Sequence, residues 1–392
     1  MFLDDLELRN PKLIEYSFKM HQSGKINPNT YILDLDTILN NSKELITEAK
    51  KYDIEPYFMS KQLGRNPLVC KKLMGLGFKG AVVVDFQEAK IMIDNNIPIA
   101  HIGNLVQIPD GMLKKVISYG VGMITIFSLE KARKIDEIAR QLGITQNICL
   151  KFYNKKDFLY DGQKSGFLLE DLEYVLAEIL KLKNLKIDSL TAFPCYLYEQ
   201  KSDKVLPTAN LKTMQSAQKR IHKLFNFEPR LNVPSCNQAN LMYQVSLQGG
   251  SSVEPGSSLM GMTPDNVNHT SREIAAMVYV TEVSHNFQEH AFCYGGGSYF
   301  RGKIDKALVG TDKDASRKIS VIKPAPQNID YHIELSEQSE VGKTVLMAFR
   351  TQVFVTRSEV AVISGLQQDK PKIEGFYTSG GQFISEKSWA DL

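Results

Sequence analysis

The stretch "EPYFMSKQLGRNP", residues 55–67, decides the reading of this chain. An apolar run, Tyr57-Phe58-Met59, ends in Ser60-Lys61 and then in a Gly-Arg-Asn-Pro turn. In an extended strand alternate residues face the same way, so Tyr57, Met59 and Lys61 share one face. If the strand belongs to a parallel barrel, Lys61 stands at the carboxyl end, where barrel enzymes place their chemistry. A lysine desolvated by apolar neighbours gives up its proton more readily and is a competent Schiff-base nucleophile. On this fragment alone the commoner reading is a strand-end lysine that lays its stem on apolar surface and reaches solvent.

The surrounding pattern supplies the barrel. Strand-like runs appear at "TYILDLD", "EPYFMSK", "GAVVVD", "IPIAHIG", "GMITIF", "NICLKFY", "IDSLTAF", "RLNVPS" and "SSVEPG". Amphipathic helical stretches alternate with them. "SLEKARKIDEIARQLG" begins at a Ser N-cap and closes on Gly143, a start and stop that agree. Glu88 and Glu130 fall in first helical turns, where the dipole favours acid. With "TYILDLD" set aside, eight runs between Pro56 and Gly256 remain, and eight strand–helix units over about 230 residues match a (β/α)8 barrel. After Met262 strands follow one another with Gly and Pro punctuation and no helix of comparable length, which predicts an antiparallel β domain. The expected organisation is an N-terminal segment at 1–25 packed on one of the domains, a barrel at 26–265 and a β domain at 266–392.

Composition narrows the class. The chain has 392 residues, 43% hydrophobic and 23% charged, enough to bury a large core. A net charge of +3 from interspersed groups offers no single-sign field for nucleic acid or membrane. Five scattered cysteines predict a reduced chain without a disulfide framework or a zinc cluster. No apolar run reaches the eighteen or so residues of a spanning helix, and the acidic amino terminus lacks a basic leader; the expectation is a cytoplasmic protein.

The order of landmarks, "TYILDLDTILNN", "YFMSK" and "AVVVDFQEAKIMIDNNIPI" followed by a β domain, resembles the alanine racemase family, and most of all its YhfX-like branch. These are pyridoxal phosphate (PLP) enzymes of fold type III. The resemblance implies that Lys61 carries PLP as an internal aldimine, and that the protein is a homodimer acting on an amino acid. It further implies phosphate contacts from Ser235 in "NVPSCNQ" and from the backbone of Gly256 and Ser257 in "VEPGSS", although "PGSS" alone reads as an ordinary turn. Glu254 departs from the racemase pattern, which has arginine before that Pro-Gly; glutamate there resembles the related decarboxylases. A carboxylate against the pyridine nitrogen favours its protonated form, a stronger electron sink that stabilises a quinonoid. Tyr294 in "FCYGGGSYF" matches the family's second base, opposed to Lys61, with Cys293 as an alternative acid and a half-buried strand aromatic as the structural reading.

Other family positions match less well. Arg65 stands where the family has tyrosine and can bind phosphate or a substrate carboxylate bidentately. Lys151 lies where racemases have a lysine that is often carbamylated; its arginine partner is missing, so no modification is expected. The histidine usual after the sixth strand is replaced around Ala192, and His101 is either a cofactor contact or a structural strand-end histidine. Three functions follow: an amino-acid racemase or epimerase using Lys61 and Tyr294; a decarboxylase or aldolase, suggested by Glu254; and a PLP-carrying protein without catalysis, against which the β domain counts. No histidine-rich metal spacing surrounds His332, so no metal is expected.

Overall fold

The computed structural model describes residues 2–264, 271–299, 301–325, 327–350, 352–388 and 391. Its chain divides into two units, one of Met1–Glu44, Lys61–Lys72 and Gly256–Leu392, the other of Leu45–Ser60 and Leu73–Pro255. The first strand, β1 (Thr30–Asp34), is buried along its whole length. It belongs to the antiparallel-sheet unit and not to the barrel, which corrects the expected boundary near residue 26. The expected boundary at 265/266 lies outside the described residues.

The barrel unit runs through β2 (Glu55–Pro56), β3 (Phe58–Met59), β4 (Ala81–Val83), β5 (Ile99–Ile102), β6 (Met123–Ile126) and β7 (Gln146–Tyr153). It continues with the short β8 (Phe167–Leu168), β9 (Leu185–Thr191), a hairpin of β10 (Tyr196–Glu199) and β11 (Lys204–Pro207), then β12 (Arg230–Asn232) and β13 (Ser252–Val253). The parallel order is β2-β13-β12-β9-β7-β6-β5-β4-β3, a nearly closed barrel of nine strand segments. β2 and β3 are halves of one run broken at Tyr57, so the predicted eight staves are present. That run links the two ends of the sheet: Tyr57 N donates to Val253 O at 2.9 Å, and Phe58 N to Gly80 O at 3.1 Å. Burial on both faces explains the near-continuous apolar runs of the parallel strands. The helix Leu129–Leu142 starts and stops as predicted: the Ser128 hydroxyl accepts from Lys131 N at 3.2 Å, and Gly143 closes it at φ +67°.

The second unit adds β14 (Met277–Phe287), β15 (His290–Tyr294), β16 (Lys306–Gly310), β17 (Arg317–Ser320) and β18 (His332–Leu335). β19 (Thr344–Met347), β20 (Glu359–Ser364), β21 (Lys372–Thr378) and β22 (Phe383–Ser385) complete it. Its order is β17-β16-β19-β14-β1-β20-β21-β22, with β15 between β14 and β18. β1 is a central strand, antiparallel to β14 and parallel to β20. The N-terminal helices Phe2–Arg9 and Pro11–Gln22 belong to this unit. Asn10 between them donates to Asp34 Oδ2 and to Ala275 O, both at 3.0 Å. The long run "KTVLMAFRTQVFVT" is strand only over Thr344–Met347 and turns into a 3-10 segment at Val353–Val355.

Candidate active site

In the barrel unit a polar cluster is built from the ends of neighbouring staves. Glu254 follows β13, Asn232 ends β12, His101 lies in β5 and Thr125 in β6. His101 Nδ1 is 2.5 Å from Glu254 Oε1, and Asn232 Nδ2 donates to the same oxygen at 2.7 Å. His101 Nε2 is 2.5 Å from Thr125 Oγ1. Ser252 Oγ donates to Asn232 Oδ1 at 2.9 Å, and Glu254 N donates to Asn237 Oδ1 at 2.9 Å. The carboxylate is therefore fixed at its backbone and at one oxygen. Its other oxygen, Oε2, is buried and has no hydrogen-bond partner among the described residues. Leaving such an acceptor dry and unpaired costs about 1–3 kcal/mol. His101 is fully buried, which opposes its charged form, but the Glu254 carboxylate outweighs this and raises its pKa.

Lys151, in β7, is 2% exposed and donates to Ser165 Oγ at 2.9 Å and Asn104 O at 3.3 Å. Burial lowers its ammonium to about 8, against the opposing pull of Cys149, Cys195 and Glu254. Ser235 and Cys236 both adopt positive φ, +89° and +50°, and the Ser235 hydroxyl donates to Tyr196 O at 2.5 Å. That hydroxyl braces the hairpin strand. Ser60, the residue before Lys61, donates its hydroxyl to Oε1 of Glu88, whose Oε2 accepts from Val84 N at 2.7 Å. Glu88 thus sits fully buried as a strut, where the sequence suggested only a dipole-friendly first-turn acid.

In the other unit Lys61 opens a 3-10 turn, Lys61–Leu63, and is buried. Arg65, at φ +55°, places its guanidinium 4.9 Å from the Phe354 ring centroid. Asn66 Oδ1 then accepts from Val69 N at 3.1 Å, starting the helix Pro67–Met74. Gly256 precedes the turn Ser257–Met260; a Cβ on it would meet the Gln62 carboxamide at 2.7–2.8 Å, so the Gln62 side chain packs against the bare backbone there. Tyr294 ends β15 opposite His332, with 6.3 Å between ring centroids, and is 42% exposed. Cys293 points the other way, donates to Ile333 O at 3.2 Å, and burial raises its thiol to about 12. Gly295 follows because a Cβ there would stand 2.1 Å from Asp330 O.

The structure brings Glu254 and His101 together, and it turns the Ser235 hydroxyl to Tyr196 O. Asn232, Thr125 and Asn237 were not singled out from sequence, and Glu88 only as a first-turn acid. No group of three or more His, Cys, Asp or Glu able to hold a metal is present among the described residues, and none of the described helices is long and apolar enough to cross a membrane.

Residues 33–264 match the family described as "Alanine racemase, N-terminal domain", and residues 278–373 match "YhfX-like, C-terminal domain". The chain is 40% identical over 385 residues to the uncharacterized protein YhfX of Escherichia coli K12, covering 98% of this chain and 100% of that one. Among solved structures it is similar to an alanine racemase of Clostridium difficile 630 in complex with cycloserine (TM-score 0.63, 16% identity, 89% and 98% of the two chains). It is also similar to a D-threonine aldolase of Filomicrobium marinum (0.68, 16%, 91% and 95%). A diaminopimelate decarboxylase of M. jannaschii in complex with L-lysine gives 0.65 at 13%, over 93% and 92%. The chain belongs to the alanine racemase-like family, with the YhfX-like C-terminal domain. That fold family binds pyridoxal phosphate, and its members include racemases, aldolases and decarboxylases.

Proposed function

We propose that the protein is a PLP-dependent amino-acid racemase or epimerase acting at Cα. Two features of the residues present support the cofactor: Glu254 Oε2 is a buried acceptor that an N–H could meet, and Gly256, with the flexible Gln62 carboxamide packed against it, has no side chain of its own. Lys61 would hold the cofactor covalently and move the proton on one face of Cα. Glu254 would bind the ring nitrogen, and the backbone at Gly256 and Ser257 the phosphate. Arg65, positioned by Phe354, would take a carboxylate or phosphate oxygen. Bound there, the cofactor supplies the conjugated ring that delocalises the electrons left at Cα.

The observation that carries racemisation is the exposure of the Tyr294 phenol at a strand end while neighbouring Cys293 is sealed. Ile329, Tyr331 and Val355 are also exposed in this unit, and Arg357 lies over the Tyr331 ring. Such an apolar surface suits a second copy of the chain, whose Tyr294 would serve the opposite face of Cα. Glu254 favours a second reading, a decarboxylase or aldolase, because a protonated ring nitrogen serves any carbanion at Cα. Incubation with PLP and a panel of L- and D-amino acids in deuterated water tests both readings. Deuterium at Cα with loss of optical purity supports racemisation, loss of the carboxylate supports decarboxylation, and an unchanged panel overturns catalysis on those amino acids.

A further inference from the structure

Glu254 has one oxygen held twice and one held by nothing described. His101 is the source of much of that asymmetry. A carboxylate oxygen only accepts, so His101 Nδ1, 2.5 Å from Oε1, carries a hydrogen. Nε2 faces a second oxygen, Thr125 Oγ1, which can accept from an imidazolium as readily as donate to a neutral ring. The ring is 0% exposed, so no water compensates for a missing charge partner. The titratable groups set around it are Glu254 after β13 and Cys149 on β7, with Lys151, also on β7, facing Glu254; from β4 the register partner is Val82, which brings no charge. Burial works against the imidazolium, and Glu254 reverses the outcome.

We infer that His101 is a positioning residue: as an imidazolium paired with Glu254 it holds that carboxylate turned so that Oε2 meets the N–H of a bound heterocycle. The inference rests on the PLP reading for the identity of that heterocycle. His101 keeps its own proton throughout; the ring nitrogen brings the proton that Oε2 accepts. A carboxylate already neutralised by His101 binds the ring nitrogen as an acceptor without leaving a lone charge buried before the ligand arrives.

The charge on His101 is read directly by nitrogen NMR of protein labelled with ¹⁵N-histidine, without added cofactor, the His101 signals being identified by their loss in His101→Asn. Both ring nitrogens should show imidazolium shifts at pH 7, and Glu254→Gln should convert them to the neutral pattern. Neutral shifts in the unaltered protein, or no response to Glu254→Gln, would overturn the inference. In the PLP-loaded protein, His101→Leu should weaken cofactor retention by about 10-fold or more. His101→Asn, which keeps an uncharged N–H toward Oε1, should restore most of that retention while shifting the pH dependence of the visible band. Equal behaviour of the two variants would also overturn it. Should the unaltered protein retain no PLP, the proposed function falls, while the histidine signals still decide the state of His101.

Discussion

The Ser60 hydroxyl donates to Glu88 Oε1, so the residue directly before Lys61 is tied to a buried carboxylate. Glu88 Oε2 at the same time accepts from Val84 N at 2.7 Å. Replacing Glu88 by alanine strands a hydroxyl and a backbone N–H in the interior. Glu88→Ala should lower stability by roughly 2–5 kcal/mol, most of it recovered in Glu88→Gln, as urea unfolding midpoints would show. In Glu88→Gln the amide oxygen can accept from Val84 N while its NH₂ donates to a turned Ser60 hydroxyl, and a loss as large as in Glu88→Ala would mean that this exchange does not replace the carboxylate.

Borohydride reduction of the PLP-loaded protein should place the pyridoxyl group on Lys61 when peptides are mapped. The motive is a buried lysine at the end of the first stave in a family that binds this cofactor. Label on Lys151, a second buried lysine, whose ammonium burial lowers to about 8, would reassign the anchor.

Glu254→Gln has a defined geometric outcome. His101 and Asn232 both point donors at Oε1, so the amide oxygen stays there and the NH₂ takes the place of Oε2. A donor then faces the ring nitrogen, which can no longer keep its proton. Turnover should fall on the order of 10²-fold, with little change in substrate binding, because the charge matters mainly in the carbanionic transition state. Full turnover in this variant would rule out the ring nitrogen as electron sink.

Tyr294→Phe should slow proton removal from one enantiomer far more than from the other, since only one face loses its base. If Tyr294 acts on the neighbouring copy, mixing inactive Lys61→Ala chains with inactive Tyr294→Phe chains restores one intact site per hybrid dimer. Random exchange should then recover about a quarter of full activity. No recovery after verified exchange would place both groups on one chain or leave Tyr294 without a role.

Lys151 provides a pH signature. Burial lowers its ammonium to about 8 from the ordinary 10.5, so between these values the unfolded chain binds more protons than the folded one. Stability conferred by the neutral amine is absent below pH 8 and grows as pH rises toward 10.5. Relative to Lys151→Met, the unaltered protein should therefore gain stability across that window, measured by denaturant titration at successive pH values. A flat difference would show that Lys151 holds its ordinary proton affinity.

The barrel was legible because its staves are buried on both faces and each is followed by a helix whose caps can be read, as at Ser128 and Gly143. β1 was harder to place: a central strand with a parallel neighbour reads like a stave, and only its pairing with Val278 and Ala361 assigns it to the other sheet. Glu254 stood out as a strand-end carboxylate beside a Pro-Gly. Its partner His101 lies 153 residues away, and no local pattern links the two. The direction of the Ser235 hydroxyl cannot be seen in sequence; the backbone there is left-handed and the hydroxyl donates to Tyr196 O. Tyr294 and Cys293 differ only by which side of β15 they occupy, a distinction that register supplies and composition does not.

The central position of β1 also bears on how the chain is made. Its apolar residues emerge early in synthesis, while its partners on β14 and β20 lie far toward the carboxyl terminus. At about 5–20 residues per second, both edges of Thr30–Asp34 stay open for tens of seconds before a neighbour exists. The barrel staves are complete by Val253, shortly before the first of these neighbours begins at Met277. A nascent chain of this protein therefore presents a finished barrel sequence and an unmatched sticky strand together, and a chaperone that shields extended apolar segments has its substrate at residues 30–34. Any truncation ahead of Glu359 makes that exposure permanent on one edge.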